Sequence, residues 1–441
     1  MRIRLYILAT FIGLIAATTA IPNKPEKREF VESASTFVCP AKSGNSNTNG
    51  VIHVGAKAVK SALIDKKNRP LKKGKDRSLS ISTKARVIEG ESGTPILLAS
   101  KPSTWLALTQ CTSSSGEFWF VGGTSDVSSL GYFQFTNENL GKAIIDIELW
   151  SEDGSEGSRT LTIPARSTKN YSLTTFMPGK NLTAFNVISR SGLVNTTLLD
   201  ERRRGLTPYG ADFVPVSAAP DKNVIMVGVP GPKFSKKSKI TSQKIRIFVP
   251  GETDAIIQVN YLSKSGIFAP VGLDSIRVPA QRVVEVELPE LPNDQLFSLQ
   301  LRATEPIIAS TVTRGTFDKR RELIWSGSAQ KNQDSKIALP ERSGYLSIVS
   351  SEPKVSFVVV KSGGKRSTVT MTTDPMGLWK VPDTAREIQF SAGAPPKLLA
   401  ITIESISGVA SAPLAPAQSK EVTTLPVIDS TLLIPDSNSL N

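Results

Sequence analysis

Residues 143–154 read AIIDIELWSEDG, and residues 255–266 read AIIQVNYLSKSG. Five of the twelve positions are identical across a spacing of 112 residues. Ile145, Ile147 and Leu149 alternate with polar neighbours, as do Ile257, Val259 and Tyr261. A period of two sends successive side chains to opposite faces, so each copy reads as a half-buried β-strand. The endings SEDG and SKSG are turn chemistry. The second copy keeps the apolar face and the turn. It replaces Asp146, Glu148, Glu152 and Asp153 by Gln258, Asn260, Lys264 and Ser265. The copies therefore share a fold rather than an acidic site.

The similarity extends outward. YFQFTNENLGK (132–142) pairs with IRIFVPGETD (245–254), and LTIPARSTKNYSL (161–173) with IRVPAQRVVEVEL (276–288). LTAFNVISRSGLVNTTLLD (182–200) pairs with LFSLQLRATEPIIASTVTR (296–314). Five or six strand signals in about 110 residues mark a β-sandwich module. A diverged copy starts at Tyr345, where AITIESISGVASAP (400–413) matches AFNVISRSGLVNTT (184–197). Another starts the mature chain, with STFVCPAKSG (35–44) as first strand and TWLALTQCTSSSGEFWFVGG (104–123) as last hairpin. The expected fold is all-β: three or four tandem immunoglobulin-like β-sandwich modules. Their expected bounds are 35–123 with a basic insertion at 56–86, 124–230, 231–341 and a diverged 342–413, followed by an extended segment at 414–441. The recurring stretches 212–230, 323–341 and 414–435 read as connectors docked on neighbouring modules.

The composition agrees. Gly and Pro together number 60 in 441 residues, which favours strands and turns over helices. Residues 1–20 begin with Arg2 and Arg4, run apolar from Leu5 to Ala17, and end in Thr18-Thr19-Ala20. That is the layout of a signal peptide, followed by a linker at 21–34. An uncleaved membrane anchor is the alternative, although a span takes about 20 apolar residues. Two cysteines, Cys39 and Cys111, remain after the signal. In an exported chain they are expected to form a disulfide.

The net charge is +14, and residues 56–86 hold eleven Lys or Arg against two Asp. Lys66, Lys67, Arg69, Lys72, Lys73, Lys75 and Arg77 are candidate anion-binding residues, with an anionic wall polymer or a membrane surface as partner. A solvated insertion is the other reading. DERRRG (200–205) and DKRRE (318–322) recur in consecutive copies. Arg202, Arg203, Arg204, Arg320 and Arg321 join the candidates because guanidinium binds carboxylate and phosphate bidentately. Pairing at a module junction is the structural alternative. Export argues against nucleic acid.

No catalytic constellation emerges. His53 is the only histidine, and the cysteines lack metal-ligand spacing, so no metal and no cofactor are expected. Glu148, Glu152 and Asp153 offer glycosidase-like carboxylates, but the second copy lacks them. SGGKRS (362–367) reads as a hairpin turn rather than a phosphate loop. Trp105, Trp119, Trp150, Trp325 and Trp379 are too sparse to define a sugar platform.

Val38-Cys39-Pro40, WLALTQCTSSSGEFWFVGG (105–123), YFQFTNEN (132–139), the arginine-rich turn leading to Gly210-Ala211-Asp212-Phe213, and VGVP (227–230) together resemble a family of large secreted proteins of unknown function from actinobacteria. The resemblance implies export and an envelope setting, and brings no catalytic residues. The expectation is a secreted or surface-associated, non-enzymatic binding or scaffold protein contacting wall polymers or an envelope enzyme complex. The alternatives are a carbohydrate-active enzyme and a structural spacer.

Overall fold

The computed structural model describes residues 36–416 except 43–46, 68–69, 75, 91–92, 290, 334–335 and 392. The expected signal peptide and linker, and the extended segment past residue 416, lie outside the described residues. The strands fall into four consecutive groups. The first holds β1 (Thr36–Cys39), β2 (Asn49–His53), β3 (Lys60–Leu63), β4 (Lys72–Lys73), β5 (Ser78–Ser80), β6 (Arg86–Glu89), β7 (Ile96–Lys101) and β8 (Trp105–Gln110). The second holds β9 (Glu117–Val121), β10 (Tyr132–Asn137), β11 (Ala143–Ser151), β12 (Gly154–Ile163), β13 (Ser167–Ser172), β14 (Thr183–Ser191), β15 (Asn195–Arg204) and β16 (Thr207–Val214). The third holds β17 (Asp221–Pro230), β18 (Ser238–Phe248), β19 (Ala255–Ser263), β20 (Gly266–Phe268), β21 (Ile276–Val278), β22 (Val283–Glu287), β23 (Leu296–Phe317) and β24 (Arg320–Gly327). The fourth holds β25 (Lys336–Ala338), β26 (Gly344–Val349), β27 (Lys354–Lys361), β28 (Arg366–Thr372), β29 (Gly377–Val381), β30 (Ala385–Gln389), β31 (Leu398–Ser405) and β32 (Gly408–Pro413).

Every group has one topology. Module two stacks β9-β14-β11-β12 on β13-β10-β15-β16. Module one repeats the order as β1-β6-β3-β4 and β5-β2-β7-β8, and module four as β25-β30-β27-β28 and β29-β26-β31-β32. In module three the long β23 serves both sheets. Its first part pairs with β17 and β19, and its last part with β18 and β24.

The repeated string occupies β11 and β19. Ala143, Ile145, Ile147 and Leu149 are buried while Ile144, Asp146 and Glu148 are half-exposed, and β19 alternates the same way. The serine common to both copies closes the same local turn. Ser151 Oγ accepts the Asp153 N–H at 3.0 Å, and Ser263 Oγ accepts the Ser265 N–H at 3.0 Å.

The module bounds differ from the sequence expectation by one strand throughout. The modules run 36–110, 117–214, 221–327 and 336–413. Segments 212–230 and 323–341 are not connectors. Each contains the last residues of one module and the first strand of the next, β17 or β25. The hairpin expected at 104–123 is likewise divided: β8 closes module one and β9 opens module two. The stretch 56–86 is not an insertion. It supplies β3, β4 and β5 and reaches the start of β6, which are integral to both sheets. The 400–413 match to 184–197 is out of step, because it aligns hairpin β31–β32 with β14–β15. Alternation and turn residues look alike in every strand–turn–strand unit, so they mark strands without saying which sheet each strand joins.

Cys39, at the end of β1, and Cys111, just after β8, form the expected disulfide. It joins outer strands of opposite sheets within module one.

The modules do not form an open string. The last strands touch in sequence, β8 to β16, β16 to β24, β24 to β32, and β32 returns to β8. The four modules thus close into a ring around their last strands. Apolar cores run across the seams. The module-one core includes Leu199, Ala211 and Phe213 of module two, and the module-two core includes Val312, Leu323 and Trp325 of module three. Ile96, Leu98, Leu106 and Leu108 of module one share a cluster with the core of module four. Close approach is needed where β16 meets β24. A Cβ at Gly210, whose φ is +94°, would lie 2.7 Å from the Leu323 nitrogen. Gln110 closes the ring with two side-chain bonds, donating to the Ala415 carbonyl and accepting the Ala415 N–H, each at 2.7 Å. Among the described residues, no helix is long and apolar enough to cross a membrane.

Candidate functional site

The seam between modules two and three concentrates charge. Arg202 on β15 forks onto Asp200, Nη2 to Oδ2 at 2.8 Å, and Asp200 also accepts the Trp325 indole N–H at 3.0 Å. Arg246 on β18 pairs with Glu285 of β22 at 2.8 Å, donates to the Gly123 carbonyl, and lies over the Trp325 ring at 5.2 Å. Arg314 on β23 is half-buried and makes no side-chain hydrogen bond or ion pair among the described residues. Arg202, Arg203, Arg204, Arg246 and Arg314 line an open cleft of about 300 Å³, together with Asp126, Glu285, Thr124, Ser128, Asn181 and Tyr209. Counting Asp200 behind Arg202, five guanidiniums face three carboxylates, a formal excess of +2.

Burial sets the local electrostatics. Desolvation holds Arg246 below the usual guanidinium range although Glu285 opposes it. Arg314 is lowered too, first by burial and then by the neighbouring Arg202. Arg202 is raised, because Asp200 outweighs its desolvation. These cations are thus partly dehydrated and held in place by β-strands. That arrangement suits capture of an oxyanion by charge-assisted hydrogen bonds.

The sequence candidates separate in space. Arg202, Arg203 and Arg204 line the cleft. Arg321 stacks over Tyr209, a cleft residue, at 5.1 Å, so the two arginine motifs converge. Arg320 instead lies over Phe317 and donates to the Ile406 carbonyl at 2.6 Å, at the seam with module four. Lys66, Lys67, Lys72, Lys73 and Arg77 are exposed along the outer edge of module one, where Lys72 and Lys73 form edge strand β4. Lysines at a sheet edge also oppose edge-to-edge pairing. Arg69 and Lys75 lie outside the described residues. Arg246, Arg314 and Glu285 were not legible as site residues. Nothing in IRIFVPG or TVTRGT distinguishes a seam arginine from a solvated one.

The catalytic candidates are occupied structurally. Glu152 accepts the Asn181 and Leu182 N–H groups at 3.0 and 2.9 Å, and Asp153 pairs with Lys180 at 2.8 Å. His53 lies 3.5 Å from Ser78 Oγ, but that hydroxyl donates to Glu341 at 3.3 Å. The serine therefore sits between base and carboxylate, whereas a nucleophilic triad needs the histidine there. Among the described residues, no group of three or more His, Cys, Asp or Glu is placed to hold a metal ion. The tryptophans pack. Trp105 and Trp325 are buried, Trp119 and Trp150 stack at 5.9 Å beside Phe248, and Trp379 meets Phe357 at 5.2 Å.

The chain is thus an all-β protein of four β-sandwich modules closed into a ring, with an arginine-lined cleft in one seam. Residues 104–385 match a family of unknown function, DUF5719, and the chain belongs to that family. No curated protein matches the chain. A solved structure described as a tetra-tandem repeat in the extending region of a large adhesion protein aligns at 9% identity, over 87% of this chain and 98% of that one, with a TM-score of 0.11.

Proposed function

We propose that the protein is an exported, non-enzymatic binding or scaffold protein of the bacterial cell envelope, and that the cleft between modules two and three takes an oxyanion group of an anionic wall polymer. The observation that carries this reading is Arg314, a half-buried cation with no ion-pair partner among the described residues, in a cleft with an excess of guanidinium. The disulfide supports work outside the cytoplasm, since such bonds persist in oxidising compartments. The basic, apolar, small-residue order of residues 1–20 supports export by a signal peptide. A polysaccharide hydrolase is disfavoured because Glu152 and Asp153 are engaged in holding the loop around residue 181.

The test is binding of the full chain to a purified phosphate- or carboxylate-bearing wall polymer across a salt series. Affinity is expected to fall steeply with salt. Arg314→Gln should weaken it about tenfold, and Arg314→Lys should restore little, because a point charge lacks the guanidinium fork. Retention that is independent of salt and indifferent to Arg314→Gln rejects the assignment.

A further inference from the structure

The closed ring has two unlike ends. The linkers 111–116, 215–220 and 328–333 follow the last strands, and Ala415 meets Gln110 at that end. The turns of the four last hairpins, at 102–104, 205–206, 318–319 and 406–407, lie at the other. Contacts between neighbouring modules show that the tips gather. Lys101 pairs with Glu201 at 3.0 Å, Arg321 lies over Tyr209 at 5.1 Å, and Arg320 donates to the Ile406 carbonyl at 2.6 Å.

This end carries the three most exposed large hydrophobic side chains among the described residues. Leu206 and Ile406 stand on two of the turns and are 96% and 86% exposed. Val127, 97% exposed, sits in a loop tied to β15 by Arg203 N–H to Ser128 O at 2.9 Å and Leu130 N–H to Glu201 O at 2.8 Å. Around them are Arg203, Arg204, Lys319, Arg320 and Arg321, against Asp126, Asp318 and Glu404, a formal excess of +2 outside the Lys101–Glu201 pair. Aliphatic side chains at turn tips bury nothing within the chain, so they keep their full apolar surface available for transfer to an apolar phase. The three stand on separate turns and form no groove. A rigid protein partner needs a contiguous, complementary core. A fluid lipid surface does not: isolated aliphatics can enter the headgroup–acyl boundary while cations meet lipid phosphates.

We propose that the hairpin-tip end of the ring is a membrane-docking surface for bilayers carrying anionic lipid, with Val127, Leu206 and Ile406 entering the interface and the flanking cations pairing with headgroup phosphates. It shares Arg203, Arg204 and Asp126 with the oxyanion cleft, but Arg314, the key group there, is not among its residues. The experiment is co-sedimentation of the full chain with phosphatidylcholine vesicles and with vesicles of equal phosphatidylcholine and phosphatidylglycerol. Binding is expected to the mixed vesicles. The double variant Leu206→Ser, Ile406→Ser should lower partitioning on the order of tenfold, and Lys319→Gln with Arg321→Gln should lower it comparably. Both pairs replace exposed positions or tip cations, and an unchanged melting temperature checks folding. Arg314→Gln should leave vesicle binding intact. No sedimentation of the parent chain with mixed vesicles overturns the proposal. So does equal partitioning of the serine variant, or a serine variant that loses soluble wall-polymer binding to the same extent.

Discussion

Glu322 and His53 are buried at the two seams of module four and act on stability in opposite pH directions. Glu322 packs against Gly408, and one oxygen accepts the Val409 N–H at 3.4 Å. Burial raises its pKa from 4.5 to about 8, against the opposing Val409 bond and Arg320. A carboxyl raised on folding binds more protons in the native state between those two values. Its stabilising contribution is therefore full below 4.5 and lost as pH rises through about 8. His53 is lowered from 6.5 to about 4, first by burial, with Glu341 opposing and Arg386 and Arg342 adding to the shift. Its contribution is present above 6.5 and lost as pH falls through about 4. The two effects overlap, so Glu322 is isolated by substitution. Glu322→Gln is expected to be more stable than the parent at pH 8 by several kcal/mol, on the order of 4, and equal to it near pH 4. Urea unfolding at both pH values measures the difference, and a constant difference would show that Glu322 does not titrate in this window. Neither residue announced this behaviour in the sequence. Glu322 lies in DKRRE, a motif read for its arginines, and becomes buried only because β32 covers β24.

Strands were the most legible level of the structure. AIIDIELWS, AIIQVNYLS and KVSFVVVK all alternate, and all form strands with a buried apolar face. The affiliation of first strands was not legible. EFWFV and KNVIMVGVP carry no local mark of the module they join, since each follows a short linker and pairs with a strand about 60 to 80 residues further on. The basic stretch misled for a related reason. Lys60 and Ser61 of β3 pair with Lys73 and Lys72 of β4, so a run that looks solvated is the edge of a sheet. Cys39–Cys111 ties the first strand of module one to its last, closing a sequence separation of 72 residues. Replacing both cysteines by alanine is expected to lower stability by about 4 kcal/mol in the chain-entropy description. The readout is denaturant unfolding of the double variant beside the oxidised parent. A change below about 1 kcal/mol would mean that the seams, rather than the staple, hold module one closed.

For the whole molecule, the closed ring makes the modules interdependent. Asp212 illustrates the coupling. Its buried carboxyl on β16 accepts the Leu108 N–H of β8 at 3.3 Å and the Trp325 N–H of β24 at 3.0 Å, bridging modules one, two and three. Burial raises its pKa well above the ordinary aspartate value despite those bonds. Apolar clusters spanning the seams reinforce the coupling. The full chain is therefore expected to unfold in one calorimetric transition. Separated transitions for individual modules would describe a string of independent sandwiches instead. Local patterning sufficed for the all-β class, the repeat, the cysteine pair and one wall of the arginine cleft, because alternation, turns and residue type act within a few positions of the chain. Module bounds, ring closure, and the meeting of Arg202, Arg246 and Arg314 depend on contacts between strands far apart in sequence. Those contacts follow from which buried faces complement one another in three dimensions, and a period-two pattern is the same whichever partner a strand finds.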